Sequence, residues 1–287
     1  KRYITQYLAG QSNTNLKDIA LGVGSTAATV NDTQLGFEFY RSPVSMSSID
    51  IQTNSLTGVS TYGVVYKTTV PVDVAGIINE VGLFPAVSLN STDYASNSIS
   101  TFEDNQSWAD STGAYPASVT NPFPKIGTSY LSIGAAASQS KEYFNSFNID
   151  VSGYSALDSL TLAYYQSDTN LDYVFVRMYD SNNNYYEIRY AGDALTGYKI
   201  KSLTLNNLYS SGYGSGTPDQ TSIVKISCGV KAKSSGATAA LFDGMRINDE
   251  DSFRTDYGLI SRSVLTNLIT KSLGKQMVIE YRIGLTF

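Results

Sequence analysis

Short apolar runs recur along the chain between clusters of turn-forming residues. Tyr62–Val70 (YGVVYKTTV) is rich in β-branched and aromatic residues and stops at Pro71. Ile77–Phe84 (IINEVGLF), Leu160–Tyr165 (LTLAYY), Ile223–Val230 (IVKISCGV) and Ala239–Ile247 (AALFDGMRI) read the same way. Tyr173–Tyr179 (YVFVRMY) runs into Asp180-Ser181-Asn182-Asn183-Asn184, a strong hairpin loop, and Tyr185–Tyr190 (YYEIRY) is its return strand. Strands at this spacing predict an all-β sandwich or barrel. Helix is scarce, with a short one expected over Arg2–Ala9. Leu259–Leu273 fits both helical spacing (Ile260, Val264, Leu268) and strand composition. Beyond it, Met277–Phe287 (MVIEYRIGLTF) alternates cleanly with period two, so the last 30 residues are read as β.

Composition narrows the chemistry. The 287 residues include 20 Lys and Arg against 25 Asp and Glu, no histidine and one cysteine, Cys228. Without histidine there is no Ser-His-Asp or Cys-His catalysis and no histidine-built zinc site. One cysteine excludes a disulfide framework within the chain, and Cys228 in an apolar strand reads as a small buried hydrophobe. The acidic balance argues against a nucleic-acid binder, which would show a basic patch. No apolar run approaches the ~20 residues of a membrane helix, so no membrane insertion is expected. Lys1-Arg2-Tyr3 leads into no apolar stretch of signal type, so no leader is expected there.

Breaks in the pattern suggest an insertion. Pro85 opens a Ser/Asn/Thr stretch over Ser88–Ser100, and Asn248–Ser252 is a matching polar break. The final strand is too apolar for a tail and needs a partner outside the middle block. The expected plan is an outer β docking domain, residues 1–86 with 254–287, carrying a second domain, residues 87–253, grafted into one of its loops.

Two resemblances follow from particular residues. Ile19–Thr26 (IALGVGST), Asn31-Asp32-Thr33-Gln34-Leu35, Tyr40–Val44 (YRSPV), Ile78–Phe84 (INEVGLF), Ser261–Leu265 (SRSVL), Ile269-Thr270-Lys271 and Val278–Ile283 (VIEYRI) form an ordered set. That set resembles a recurring domain of tailed-virus structural proteins, found in phage and archaeal virus tail, fibre and capsid-associated proteins. The middle block, on Phe102-Glu103-Asp104 with Trp108, Gly127–Ile133 (GTSYLSI), Ile149–Tyr154 (IDVSGY) and Leu241–Ile247 (LFDGMRI), resembles carbohydrate-binding-module-like jelly rolls. The fold expected is therefore all-β, an outer β-sandwich or barrel with an inserted jelly-roll β-sandwich. In such jelly rolls the first and last strands lie side by side, and carboxylates there hold a hard cation. The resemblance thus implies a structural calcium ion (Ca2+) at Glu103, Asp104 and Asp243.

Other candidate sites come from the residues themselves. Gly22-Val23-Gly24 lacks the third glycine and the Lys-Ser/Thr of phosphate loops and reads as a turn between strands. Asp180, Asn182 and Asn184 alternate like the start of a calcium loop, but Tyr185 stands where an EF-hand needs glycine, so a hairpin loop is expected. Asp249-Glu250-Asp251 reads as a solvated linker turn. Trp108, Tyr186, Tyr190, Tyr209 and Tyr213 are candidates for a glycan-stacking platform, since flat aromatics among Asn, Asp and Ser suit a sugar's apolar face and hydroxyls. Tyrosine is equally a good sheet residue, and adjacent Tyr185 and Tyr186 must point to opposite faces, so at most one joins a given surface. Nothing in the sequence sets two carboxylates across a cleft for glycoside hydrolysis, and no enzyme is expected.

The expectation is a homo-oligomeric virion component, assembled in the host cytoplasm, that contacts other tail or capsid proteins. Its jelly roll would project outward, as in a tail fibre or spike, for attachment to a host cell-surface glycan or receptor. One alternative is a capsid decoration or turret protein with no small ligand; another is a glycan-cleaving enzyme.

Overall fold

The computed structural model describes residues 17–53, 55–85, 98–155, 157–209, 212–248 and 259–286. The expected Arg2–Ala9 helix, most of the Ser88–Ser100 stretch and the Asp249–Asp251 turn lie outside these residues. The protein is all-β, and it divides into two compact units, Lys1–Asp93 with Ser252–Phe287, and Tyr94–Asp251. Among the described residues no helix is long and apolar enough to cross a membrane.

The first unit contains β1 (Lys17–Gly22), β2 (Glu38–Pro43), β3 (Met46–Thr53), β4 (Ser60–Val70) and β5 (Gly76–Pro85). Late in the chain, after the ten strands of the second unit, it adds β16 (Ser261–Lys271) and β17 (Met277–Thr286). One antiparallel sheet has the order β16-β5-β1-β2, the other β17-β4-β3. Ile19, Leu21, Ile78, Val81 and Leu83 of the first pack with Val70, Ile279 and Tyr281 of the second. The ambiguous Leu259–Leu273 segment resolves as strand because its β-branched residues, Val264, Thr266, Ile269 and Thr270, suit a pleated surface better than a helix.

Strand β5 is buried on both faces, which is why IINEVGLF reads as a nearly continuous apolar run. One face joins the core. The other carries Glu80, fully buried, whose carboxylate accepts hydrogen bonds from the N–H groups of Gly24 (2.8 Å), Gly36 (3.0 Å) and Phe37 (3.1 Å). Arg262 donates to it through Nε at 2.7 Å, and also pairs with Asp32 (2.7 Å) and donates to the Thr26 carbonyl (3.0 Å). Asn79 donates to the Gly24 carbonyl. Gly22-Val23-Gly24, Asp32, Asn79-Glu80 and Arg262 are thus one buried polar network. It fastens the loop between β1 and β2 over β5. A side chain at Gly24 would place its Cβ 2.5 Å from Glu80 Oε1, so glycine there makes room for the carboxylate.

The second unit holds β6 (Ser98–Ser100), β7 (Ala117–Val119), β8 (Tyr130–Ala135), β9 (Ser140–Ile149), β10 (Ser159–Gln166), β11 (Leu171–Asp180), β12 (Tyr185–Ala191), β13 (Gly197–Thr204), β14 (Ile223–Ala232) and β15 (Thr238–Asn248). A short helix, Leu205–Tyr209, follows β13. One sheet has the order β13-β10-β15-β8-β7 with β6 on β15, the other β12-β11-β14-β9. Between them lies a core that includes Phe102, Trp108, Leu162, Tyr164, Val174, Val176, Met178, Ile226, Cys228, Val230 and Phe242. Each large side chain buried there contributes about 1.5–3 kcal/mol. The β11–β12 hairpin closes as expected. Asp180 Oδ1 accepts from the N–H groups of Asn182 and Asn184, and Asn183 takes φ +61.

Candidate functional site

The five aromatics expected to form a platform do not lie together. Trp108 is 1% exposed, with its ring 5.1 Å from Phe102 in the core. Tyr190 is 2% exposed and donates its hydroxyl to the Leu160 carbonyl at 2.7 Å. Neither can stack on a sugar from there. Tyr186 and Tyr209 form an edge-on pair 5.0 Å apart, half-buried against the same core, with hydroxyls on the Pro218 and Val151 carbonyls. Only Tyr213 stands in the open. The reason is alternation: Tyr186, Ile188 and Tyr190 of β12 share the core face, which sends Tyr185, Glu187 and Arg189 outward.

The outward face of β12-β11-β14-β9 is where chemistry-bearing side chains gather. On β11, Val174, Val176 and Met178 point into the core, so Tyr173, Phe175, Arg177 and Tyr179 point out. Register sets Tyr185 beside Tyr179, Glu187 beside Arg177 and Arg189 beside Phe175. On the other side, Lys225 lies beside Tyr179 and Ser227 beside Arg177, and β9 adds Phe144 and Glu142. Gly229 opposes Phe175, and a side chain there would collide with that ring.

Ion pairs knit this face. Arg177 donates to Glu187 through Nε at 2.6 Å and to Glu142 through Nη1 at 2.9 Å; Arg189 Nε reaches the other oxygen of Glu187 at 2.5 Å. Burial works against the Arg177 charge, yet Glu187, Tyr179 and Glu142 hold its pKa above the ordinary arginine value. The sheet is bordered by short bridging segments. Ala109 exchanges hydrogen bonds with Phe144 at the β9 edge, and Ser215 with Tyr185 at the β12 edge. Tyr213, 48% exposed, comes from that second segment and lies under the Arg189 guanidinium, 3.6 Å from its ring centroid. The result is a face of rings and guanidinium groups held against one another, rich in donors and acceptors, on which Phe175, Tyr179, Glu187 and Ser227 are themselves buried. Of its members, the sequence pointed to Tyr213, and to Tyr185 only as the alternative to Tyr186. The available signal was the alternation in YVFVRMY, whose Val, Val and Met fix the aromatic and arginine positions as the opposite face.

The three acidic residues expected at a calcium site separate into two and one. Asp104 caps a short turn from solvent, accepting from Gln106 N and Ser107 Oγ, and it does not join the others. Glu103 accepts from the N–H groups of Thr128 (3.0 Å) and Ser129 (3.1 Å) and the Thr128 hydroxyl (2.7 Å). Gly127, at φ +66, turns beneath that carboxylate where no side chain fits. Asp243 is fully buried. Its Oδ2 accepts from Tyr198 Oη (2.6 Å) and from the N–H groups of Lys125 and Ile126 (both 3.1 Å), while its Oδ1 is buried with no hydrogen-bond partner among the described residues. Burial pushes the Asp243 pKa up to about 7; the three hydrogen bonds pull against this, and the Glu103 charge adds to it. Among the described residues no three of His, Cys, Asp and Glu cluster as metal ligands. An orphaned carboxylate oxygen that feels a second carboxylate does fit a hard cation, with carbonyl or water oxygens completing its shell.

No family model matches the chain, and no curated protein does. Among solved structures it is similar to an agarase, with 14% identity over 53% of this chain and 26% of that one, TM-score 0.38. It is also similar to the family 11 carbohydrate-binding module of a cellulosomal cellulase of Clostridium thermocellum (13%, 53% of this chain, 93% of that one, TM-score 0.35). A third is the enzymatically active domain of a tailspike protein of bacteriophage CBA120 (14%, 57% and 21%, TM-score 0.32). The chain spans about a quarter of the agarase's length. These likenesses are distant, and the chemistry of the face rests on its own side chains.

Proposed function

We propose that this protein is a glycan-attachment component of a virus particle, in which the outward face of β12-β11-β14-β9 receives a host glycan and the first unit docks the molecule into the particle. The observation that carries the binding reading is the face itself, with Tyr173, Arg177, Tyr185, Glu187, Arg189 and Tyr213 held together on one side of the sheet by ion pairs and cation–ring contacts. Preorganised planar donors lose little entropy when a flexible sugar arrives. Glu142 and Glu187 are joined through one guanidinium, which supports binding over hydrolysis, a reaction that needs one of two carboxylates protonated. The virion setting is supported by the ordered motif set of the first unit, four of whose segments, Ile19–Thr26, Asn31–Leu35, Ile78–Phe84 and Ser261–Leu265, meet in the Glu80 network. Ile49 and Ile51 on edge strand β3, 78% and 58% exposed, support self-association of that unit. Many identical weak sites then act together through avidity. Calcium held by Glu103 and Asp243 would supply the positive charge that keeps Asp243 ionised beneath the surface.

The test is a glycan-array screen of the full chain alongside its sedimentation. Binding to a defined glycan class by an oligomer is expected. A folded chain that binds no glycan would favour the decoration or turret reading, and a monomer at every concentration would contradict the docking role.

A further inference from the structure

Which class of glycan the face takes follows from what covers its rings. Arg177 lies over Phe175 and Tyr185, with its guanidinium 4.6 and 4.8 Å from the ring centroids. Arg189 lies over Tyr173 (4.5 Å) and Tyr213 (3.6 Å), and Lys225 over Tyr179 (4.4 Å) and Phe144 (4.9 Å). Ring faces occupied by cations are not open to the C–H face of a neutral sugar. The groups left to meet a ligand are the cations themselves.

Their free valences are unequal. Arg177 is engaged by Glu187, Glu142 and Tyr179. Arg189 makes one ion pair, through Nε, and its terminal nitrogens have no partner among the described residues, although its side chain is 30% exposed. Lys225 makes a single hydrogen bond, to Asn183 Oδ1 at 3.1 Å. Glu187, by contrast, is 1% exposed and sits beneath the guanidinium groups. Alternation with Ile226, Cys228 and Val230 also sets Lys231 on this face. Four cations, Arg177, Arg189, Lys225 and Lys231, therefore stand against three carboxylates, Glu142, Glu187 and the exposed Asp172 whose charge reaches Tyr173, on a chain whose net charge is −5.

We propose that this face takes an anionic glycan, a chain bearing carboxylate or sulfate groups, with Arg189 as its principal anion donor and Lys225 as the second. This rests on the glycan-binding reading above and gives it a substrate class. Arg189 pairs with Phe175 and Lys225 with Tyr179. The two cations are thus two strands and four residues apart, or about 16 Å from the strand rise and spacing. A chain of several sugars spans that distance; a monosaccharide does not. Arginine suits the role because its planar fork matches a carboxylate or sulfate, and stacking between two rings holds that fork ready.

The test uses the full chain and three polysaccharides in titration calorimetry: a polyuronate, a sulfated glycan and an uncharged soluble glucan. Binding to either polyanion is expected, weakening about tenfold or more as salt rises from about 50 to 300 mM. Arg189→Gln and Lys225→Gln should each lose about fivefold or more in affinity, read at a temperature where thermal melts show each variant folded. Lys201→Gln removes a cation of the other sheet and should change nothing. Salt-insensitive binding to the neutral glucan alone would overturn the anionic class and leave the glycan reading standing. Equal losses for all three variants would reduce the effect to net charge and overturn the assignment to Arg189. If no polysaccharide binds, both readings fall.

Discussion

Glu80→Ala is expected to remove most of the stability of the first unit. Glu80 is the acceptor for three backbone N–H groups and the Arg262 guanidinium, all within the layer between β5 and the loop above it. Deleting the carboxylate leaves Arg262, itself 5% exposed, with Asp32 as its one acidic partner among the described residues, and the buried N–H groups of Gly24 and Phe37 and the part-buried one of Gly36 without this acceptor. Breaking a buried pair in this way costs about 3–5 kcal/mol, against total stabilities of about 5–15 kcal/mol. Gly24→Ala should act in the same direction, since its methyl group would displace the carboxylate. Urea titrations of the full chain should show one transition moved to lower denaturant and another unmoved. A shift below about 1 kcal/mol would mean that this network does not hold the loop.

The second large effect is a pH dependence set by Asp243. Its pKa in the folded unit, about 7, stands above its ordinary value of 3.8. The native state therefore holds this proton more tightly than the unfolded chain. The resulting stabilisation is fully present below about pH 4 and is lost as pH rises through about 7, roughly 4 kcal/mol in all without a cation. Thermal melts of the metal-free protein should show the second unit weakening by about 10 °C over that interval relative to Asp243→Asn, which has no carboxyl to titrate. Added calcium should restore the loss near pH 7 and do little near pH 4. Glu103→Gln should blunt that response, and Asp104→Asn should leave it intact. A parent protein that follows Asp243→Asn at every pH, with no calcium response, would contradict the site.

Period-two alternation made much of the fold legible. It placed β17 from MVIEYRIGLTF and the β11–β12 hairpin from YVFVRMY, the Asp180–Asn184 turn and YYEIRY. The motif set of the first unit was legible as a set, and four of its segments come together around Glu80, while Tyr40–Val44, Ile269-Thr270-Lys271 and Val278–Ile283 serve as strands of its two sheets. What stayed hidden depends on contacts distant in sequence. Trp108 stands among polar neighbours, so nothing local reveals that it packs on Phe102, which packs in turn on Phe242. Tyr185 and Tyr186 could be assigned to opposite faces but not to particular ones, because that choice rests on Ile188 and on the core it meets. Arg177 finds Glu187 ten residues away and Glu142 thirty-five away, a spacing that matches no motif. Asp104 and Glu103 are adjacent, yet one caps a turn in solvent and the other folds over Gly127.

The measurement that bears most directly on the binding face is tyrosine-selective covalent labelling of the full chain, free and with the glycan it binds most tightly. Tyr173, Tyr185 and Tyr213 should lose reactivity in the complex, while Tyr62 and Tyr115, exposed at 47% and 59% and belonging to none of the face's four strands, should keep it. Protection of Tyr62 or Tyr115 with no change at Tyr173, Tyr185 and Tyr213 would place the glycan elsewhere and contradict the account.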